Sequence, residues 1–262
     1  MFVKRLVQLF AIFMLIIITA IPTNALSNES YGFGYKKKGN EQPPELGFYG
    51  PLIDKYNGIY MGDPSKRIVY LTFDNGYELG YTEMILDVLK EKQVKATFFL
   101  TGDYVDSVPE LVKRMADEGH IIGNHSNRHL DFTKNSDSTV KEDLRILDEK
   151  IKKVSGQEHV LFFRPARGVF SERTLALTDK LGYINVFWTV AYVDWHRDEK
   201  KGWQHSFRQV VEQVHPGAVV LLHSVSPDNA EALSHLIDEL RKRGYEFGTL
   251  EDLVWDKLVP IW

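Results

Sequence analysis

The chain has no cysteine among its 262 residues, which excludes disulfides, thiolate metal centres and a cysteine nucleophile. Any metal must then be held by His, Asp, Glu or Asn. Positive charge is not in excess either. The 32 Lys and Arg stand against 36 Asp and Glu, a net charge of −4, so nothing points to a nucleic-acid partner. No glycine-rich phosphate loop follows the first strand-like run, which argues against a nucleotide binder. What is present is ordinary in bulk: 44% hydrophobic and 26% charged residues, enough for one well-buried core.

The longest apolar run, residues 6–20, falls short of the roughly 20 residues of a spanning helix. Lys4 and Arg5 precede it and Ile21-Pro22-Thr23-Asn24-Ala25 follows, with small residues at 23 and 25. Residues 1–25 read as a signal peptide cleaved near Ala25; the alternative is an uncleaved anchor. Either way the protein is expected to be exported and to work outside the cytoplasm. Residues 26–66 are rich in Gly, Pro and Tyr, carry Lys36-Lys37-Lys38 and Pro43-Pro44, and lack periodicity. They read as an extended lead-in to a domain over 67–262. The basic triplet is a solvated patch, or one drawn to an anionic wall polymer.

Beyond Arg67, short apolar runs at 68–73, 96–100, 120–123, 160–163, 184–189 and 218–222, with a weaker one near Tyr245, alternate with helical patterns. Met84, Ile85, Val88 and Leu89 have helical spacing, as do Val140, Leu144, Leu147, Ile151 and Val154. Thr139 and Glu142 have capping-box spacing. Leu233, Leu236, Ile237 and Leu240 form a further stripe ended by Gly244, and Pro109 suits a first helical turn. Six or seven βα repeats imply an α/β fold with a parallel sheet. It either closes into an incomplete (β/α) barrel or stays open and doubly wound.

Five polar clusters sit where strands should end. Asp74-Asn75-Gly76 follows the first run; Asn-Gly is also a hairpin signal, but a helical pattern comes next rather than a second strand. His125 and His129 are four apart, a spacing that lets two imidazoles meet one metal. Arg164-Pro165-Ala166-Arg167-Gly168 offers a guanidinium for a carboxylate, or two surface arginines at a turn. Asp194-Trp195 follows the fifth run and His223 ends the sixth. A single His at a strand end is more often a packed core residue than a catalyst.

In this order the clusters resemble the polysaccharide deacetylase family, also called the NodB-homology or fourth carbohydrate esterase family, over residues 67–256. The resemblance implies a distorted, incomplete (β/α) barrel with six or seven strands and metal-dependent removal of N-acetyl groups from an amino-sugar polymer. Asp74 resembles the general base, paired with Arg164. His125, His129 and Asn75 take the metal-ligand positions, with zinc the expected ion. His223 resembles the general acid, tuned by Asp194, while Leu221 and Trp195 line the acetyl pocket and the Arg167 N–H supports the oxyanion. Two departures stand out: Asn75 occurs where members usually carry Asp, and Ala191 where an acidic residue opens the fourth motif.

Thr72-Phe73-Asp74-Asn75-Gly76, Arg164-Pro165-x-Arg167-Gly168 and Val193-Asp194-Trp195 resemble the spore-cortex branch of the family. That branch implies N-acetylmuramic acid in peptidoglycan glycan strands as substrate, in the cell wall or forespore intermembrane space, on the route to muramic δ-lactam. An upstream amidase would supply peptide-free muramic acid, and no obligate protein partner is evident. The Arg167 side chain reads the lactyl carboxylate, or is a solvated arginine. The rival readings are a glucosamine-polymer deacetylase of chitin type and a carbohydrate-binding relative without catalysis. His196 and Trp203 are candidates for a rim over the sugar. His120, His159, His205, His215 and His235 carry no assigned role.

Overall fold

The apolar run at 68–71 continues through Asp74 and Asn75 as a single eight-residue strand, because neighbours cover both of its faces. The computed structural model describes residues 26–196 and 200–258; residues 1–25, expected to be an export segment, lie outside them. In chain order the elements are β1 (Tyr31–Gly32), α1 (Tyr49–Asp54), β2 (Ile68–Asn75), α2 (Thr82–Glu91), β3 (Thr97–Leu100), α3 (Gly102–Ser107), α4 (Pro109–Asp117) and β4 (Ile121–Asn124). Then come α5 (Asp137–Ser155), β5 (Phe162–Phe163), β6 (Val169–Phe170), α6 (Glu172–Lys180), β7 (Ile184–Asn185), α7 (Trp203–Val211), β8 (Val219–His223), α8 (Pro227–Lys242), β9 (Glu246–Phe247) and α9 (Leu250–Leu258).

Seven strands make one parallel sheet in the order β7-β5-β4-β3-β2-β8, with β9 beside the start of β2. Val190, beyond β7, pairs in parallel with Val220 of β8. The two edges of the sheet are thereby joined by one residue, and the sheet curls into an incomplete barrel. The open doubly wound alternative is not what forms.

Alternation along β2 divides the core. Val69, Leu71 and Phe73 pack outward with Ile85, Leu86 and Leu89 of α2 and Leu233, Ile237 and Leu240 of α8. Tyr70 faces inward with Phe99, Phe162, Val186 and Val219, and Leu250 and Leu253 of α9 join that inner cluster. Two large faces buried at once explain why the strands read as continuous apolar runs. Gly123 of β4 is required here, since a Cβ would sit 2.6 Å from the Phe99 ring.

Some local expectations shift. Met84 is exposed, so α2 packs through Ile85, Leu86 and Leu89. The helix over 137–155 is capped by Ser136, whose Oγ accepts the Thr139 N–H at 3.2 Å; the cap therefore lies three residues before the expected Thr139. Pro109 does begin α4. The lead-in is more structured than its composition suggests: β1 pairs antiparallel with β6, and α1 buries Ile53 against Phe170, Leu175 and Phe187.

Candidate active site

Register brings the first two groups together. β2 and β8 align Asp74 opposite His223, so their backbones are neighbours about 4.8 Å apart at the C-terminal ends of both strands. Arg164 follows β5 and is fully buried. Its Nη1 donates to Asp74 Oδ1 at 2.7 Å, its Nε donates to the Val186 carbonyl at 3.2 Å, and the guanidinium lies 4.1 Å over the Phe99 ring. Burial alone would raise the Asp74 pKa, but the Arg164 charge, helped by His125 and His223, holds it below the usual carboxylate value.

The other Asp74 oxygen, Oδ2, lies 3.4 Å from His125 Nε2. On the far side of that ring, Nδ1 is 2.9 Å from the Arg164 carbonyl, which can only accept. Nδ1 therefore carries the proton and Nε2 the lone pair of the neutral ring. The His129 ring centre is 5.0 Å from that of His125. Two imidazoles on one tetrahedral ion, with metal–nitrogen bonds of about 2.0 Å, would have centres about 5 Å apart. Burial lowers the pKa of both rings, His129 to about 4, leaving them neutral and able to ligate at pH 7.

The loop between the two histidines is held from α5. The buried Asp143 carboxylate accepts Ser126 Oγ at 2.8 Å, the Asn127 N–H at 2.7 Å and the Arg128 N–H at 3.3 Å. Ser126 and His129 both adopt left-handed backbone, with φ of 69° and 53°. Sequence reasoning missed Asp143; an aspartate on a helix gives no sign of what it will face.

Asn75 stands apart from the other predicted ligands. It is fully buried, and neither its Oδ1 nor its Nδ2 has a hydrogen-bond partner. The amide lies toward the Tyr104 hydroxyl without reaching hydrogen-bond geometry. A buried amide left so costs on the order of 1–3 kcal/mol per unsatisfied group, which a cation on its oxygen would partly relieve. Among the described residues no three His, Cys, Asp or Glu side chains form a metal-holding group. Two neutral imidazoles nevertheless suit a divalent cation, and the unpartnered Asn75 oxygen would bring it less charge than a carboxylate.

On the opposite wall, Asp194 Oδ1 meets His223 Nδ1 at 2.7 Å, and its Oδ2 accepts the His223 backbone N–H at 2.8 Å. Burial would lower the His223 pKa, but the charge and hydrogen bond of Asp194 outweigh it and raise the pKa. The imidazole keeps 22% side-chain exposure, so a substrate can reach it. Trp195, 46% exposed, stands edge-on to His223 with ring centres 5.4 Å apart. Leu221 lies two residues before His223 on the same face of β8 and is buried.

Arg167 occupies a left-handed turn, φ 58° and ψ 15°, with its side chain exposed. Among the described residues that side chain makes no hydrogen bond or ion pair. Its charge lies close enough to contribute to lowering the His129 pKa. Gly168 follows at φ +65°, where a Cβ would meet Trp188 at 2.8 Å. Trp203 is not drawn to this rim: it stacks on His235 at 4.2 Å between α7 and α8. His196 lies beside Trp195, ring centres 5.9 Å apart, and residues 197–199 of the same loop are outside the described residues. His120 and His215 are packed, with His120 Nδ1 accepting the Ala96 N–H and His215 bonded to Pro216 and Thr189.

Residues 61–186 match the polysaccharide deacetylase family. The peptidoglycan-N-acetylmuramic acid deacetylase PdaA of Bacillus subtilis is 47% identical over 91% of this chain and 91% of its own length. The solved structure of that protein, described as a family 4 carbohydrate esterase, superposes with a TM-score of 0.87 over 88% of this chain and all of its own. A peptidoglycan-N-acetylglucosamine deacetylase of Bacillus cereus is 34% identical over 72% of this chain and 89% of its length.

Proposed function

This chain belongs to the polysaccharide deacetylase family, and from that membership we propose that it hydrolyses the N-acetyl group of N-acetylmuramic acid in peptidoglycan. The observation that carries the reading is the meeting of two opposed pairs, Asp74 with Arg164 and His223 with Asp194, across one strand register. The metal-dependent family chemistry is an amide hydrolysis, and each pair suits one of its proton transfers.

His125 and His129, with the Asn75 amide, would hold a divalent ion, zinc by the nature of the donors; when bound, it polarises the acetyl carbonyl and makes water more acidic. Asp74 takes the proton of the attacking water, through the oxygen that Arg164 leaves free. Arg164 lowers the basicity of Asp74 while fixing its direction. His223 gives its Nε2 proton to the leaving nitrogen, and Asp194 keeps the imidazolium charged and turned inward. The Arg167 N–H supplies a donor to the developing oxyanion. Trp195 and Leu221 bracket the acetyl methyl, and the Arg167 guanidinium takes the lactyl carboxylate of muramic acid. Export to the wall or the forespore intermembrane space, and a preceding amidase, complete the reading.

The test is mass spectrometry of muropeptides from peptidoglycan treated with and without zinc and chelator. Acetyl loss from muramic residues, suppressed by chelator, is expected. Loss from glucosamine residues would replace the substrate, and no loss in any condition would leave a carbohydrate binder.

A further inference from the structure

Asp194 has a third donor besides the two from His223. Asn229, in the first turn of α8 and buried, donates from Nδ2 to Asp194 Oδ2 at 2.6 Å and to the His223 carbonyl at 3.1 Å. Its Oδ1 accepts the Tyr192 hydroxyl at 2.5 Å and the Ser206 hydroxyl at 2.6 Å. All four hydrogen-bonding positions of the amide are therefore used.

The arrangement admits one orientation of the amide. Turned over, Asn229 would set its oxygen against the Asp194 carboxylate and its NH₂ against two hydroxyls. The Asp194 carboxylate and the His223 carbonyl can only accept, so they require the NH₂ on their side, and the Tyr192 and Ser206 hydroxyls donate to the oxygen that this leaves facing them. Asp194 Oδ2 is then held from two sides, by the His223 N–H and by Asn229, and rotation of the carboxylate is blocked. Oδ1 is left to meet His223 Nδ1.

We infer that Asn229 is the positioning residue of the acid pair, fixing Asp194 and thereby the His223 imidazole, with Tyr192 and Ser206 anchoring its amide oxygen from behind. This rests on the reading of His223 as general acid. Asn229 also ties the β8 carbonyl at His223 to α8, so strand end and helix start move as one body. Asn229 and Ser206 are buried behind the Asp194 carboxylate, so the effect expected is on the proton-transfer step and not on substrate affinity.

The experiment compares steady-state acetate release from peptide-free peptidoglycan by the zinc-loaded protein and its variants. Asn229→Ala should lower kcat by ~10–100-fold, a large part of what a general acid supplies, and leave KM within about twofold. It should also weaken or remove the downfield Nδ1 proton signal of His223 in imidazole NMR. Because Asn229→Ala leaves two buried hydroxyls unpaired and can lower folding yield, Tyr192→Phe with Ser206→Ala is the second variant. It removes both anchors of the amide oxygen, so that the amide can swing off Asp194, while leaving every Asp194 and His223 atom in place, and should lower kcat several-fold, about 0.6–1 kcal/mol, at constant KM. Folded variants with unchanged kcat and an unchanged Nδ1 signal would overturn the inference. His223→Ala and Asp194→Asn serve as references: if both keep full activity, it is the general-acid reading that fails.

Discussion

Arg164 grips Asp74 by one carboxylate oxygen, at 2.7 Å, and leaves the second facing His125. A bidentate grip would have satisfied the guanidinium and blocked the proposed base. Here Arg164 Nη2 stays buried without a partner, and Asp74 keeps an oxygen for chemistry. The single shared bond makes Asp74 the only counter-charge holding Arg164 among the described residues.

Asp74→Asn should therefore lower both activity and stability. Acetate release should fall ~10²–10⁴-fold with the loss of the base. An unpaired guanidinium in the core should lower unfolding free energy by about 3–5 kcal/mol, read by urea titration. An unchanged urea midpoint would mean that another group balances the Arg164 charge.

The pH dependence follows from His223. Its pKa is raised in the folded protein, so the protonated form is favoured by the fold. That contribution to stability is complete below the usual value near 6.5, is lost as pH rises through the raised value, and the general acid is lost with it. The kcat profile should fall on the alkaline side with its midpoint above 6.5. Asp194→Asn should move that midpoint downward, since only the weaker pull of Asp74 is then left against burial. A midpoint that stays put would assign the alkaline limb to another group.

Asn75→Asp should tighten zinc binding by roughly tenfold, about 1.4 kcal/mol, measured by calorimetry on the metal-free protein. The substitution puts a charge where an uncharged amide lies buried and unpaired. Unchanged affinity would show that residue 75 is not a ligand, and the two imidazoles would then need water or Asp74 to complete the set.

Arg167→Tyr should reduce activity on peptide-free muramic acid by ~10–100-fold, the loss of one charge-assisted contact, and alter activity on N-acetylglucosamine oligomers far less. Equal losses on both substrates would remove the carboxylate reading of the side chain.

The parts of this site legible in the sequence were those that strand ends announce. Asp74, His125, Arg164 and His223 each close or follow an apolar run, and a parallel sheet gathers such ends at one rim. Runs at 160–163 and 184–189 were legible as strands but too long: only two residues of each pair in the ladder, because the sheet is turning there to meet Val220. Ser136 caps the helix one turn before Thr139 and Glu142, a choice that spacing in the sequence alone does not make. Asp143 and Asn229 left no signal at all. A polar residue on a helix looks the same in sequence whether it faces water or a loop packed over it. The left-handed backbone of Arg167 was equally hidden, since arginine at that conformation is disfavoured by roughly 1–2 kcal/mol and only its surroundings hold it there.

Phe33 donates its N–H to the Gly168 carbonyl at 2.9 Å and lays its ring against Phe187 and Trp188, with centres 4.7 and 5.2 Å away. The tail thus braces the bend that presents Arg167. Anyone trimming this protein for expression or grafting its barrel elsewhere should begin no later than residue 26. A cut at 67 would unroof an aromatic seam and slacken the turn on which the proposed lactyl contact depends.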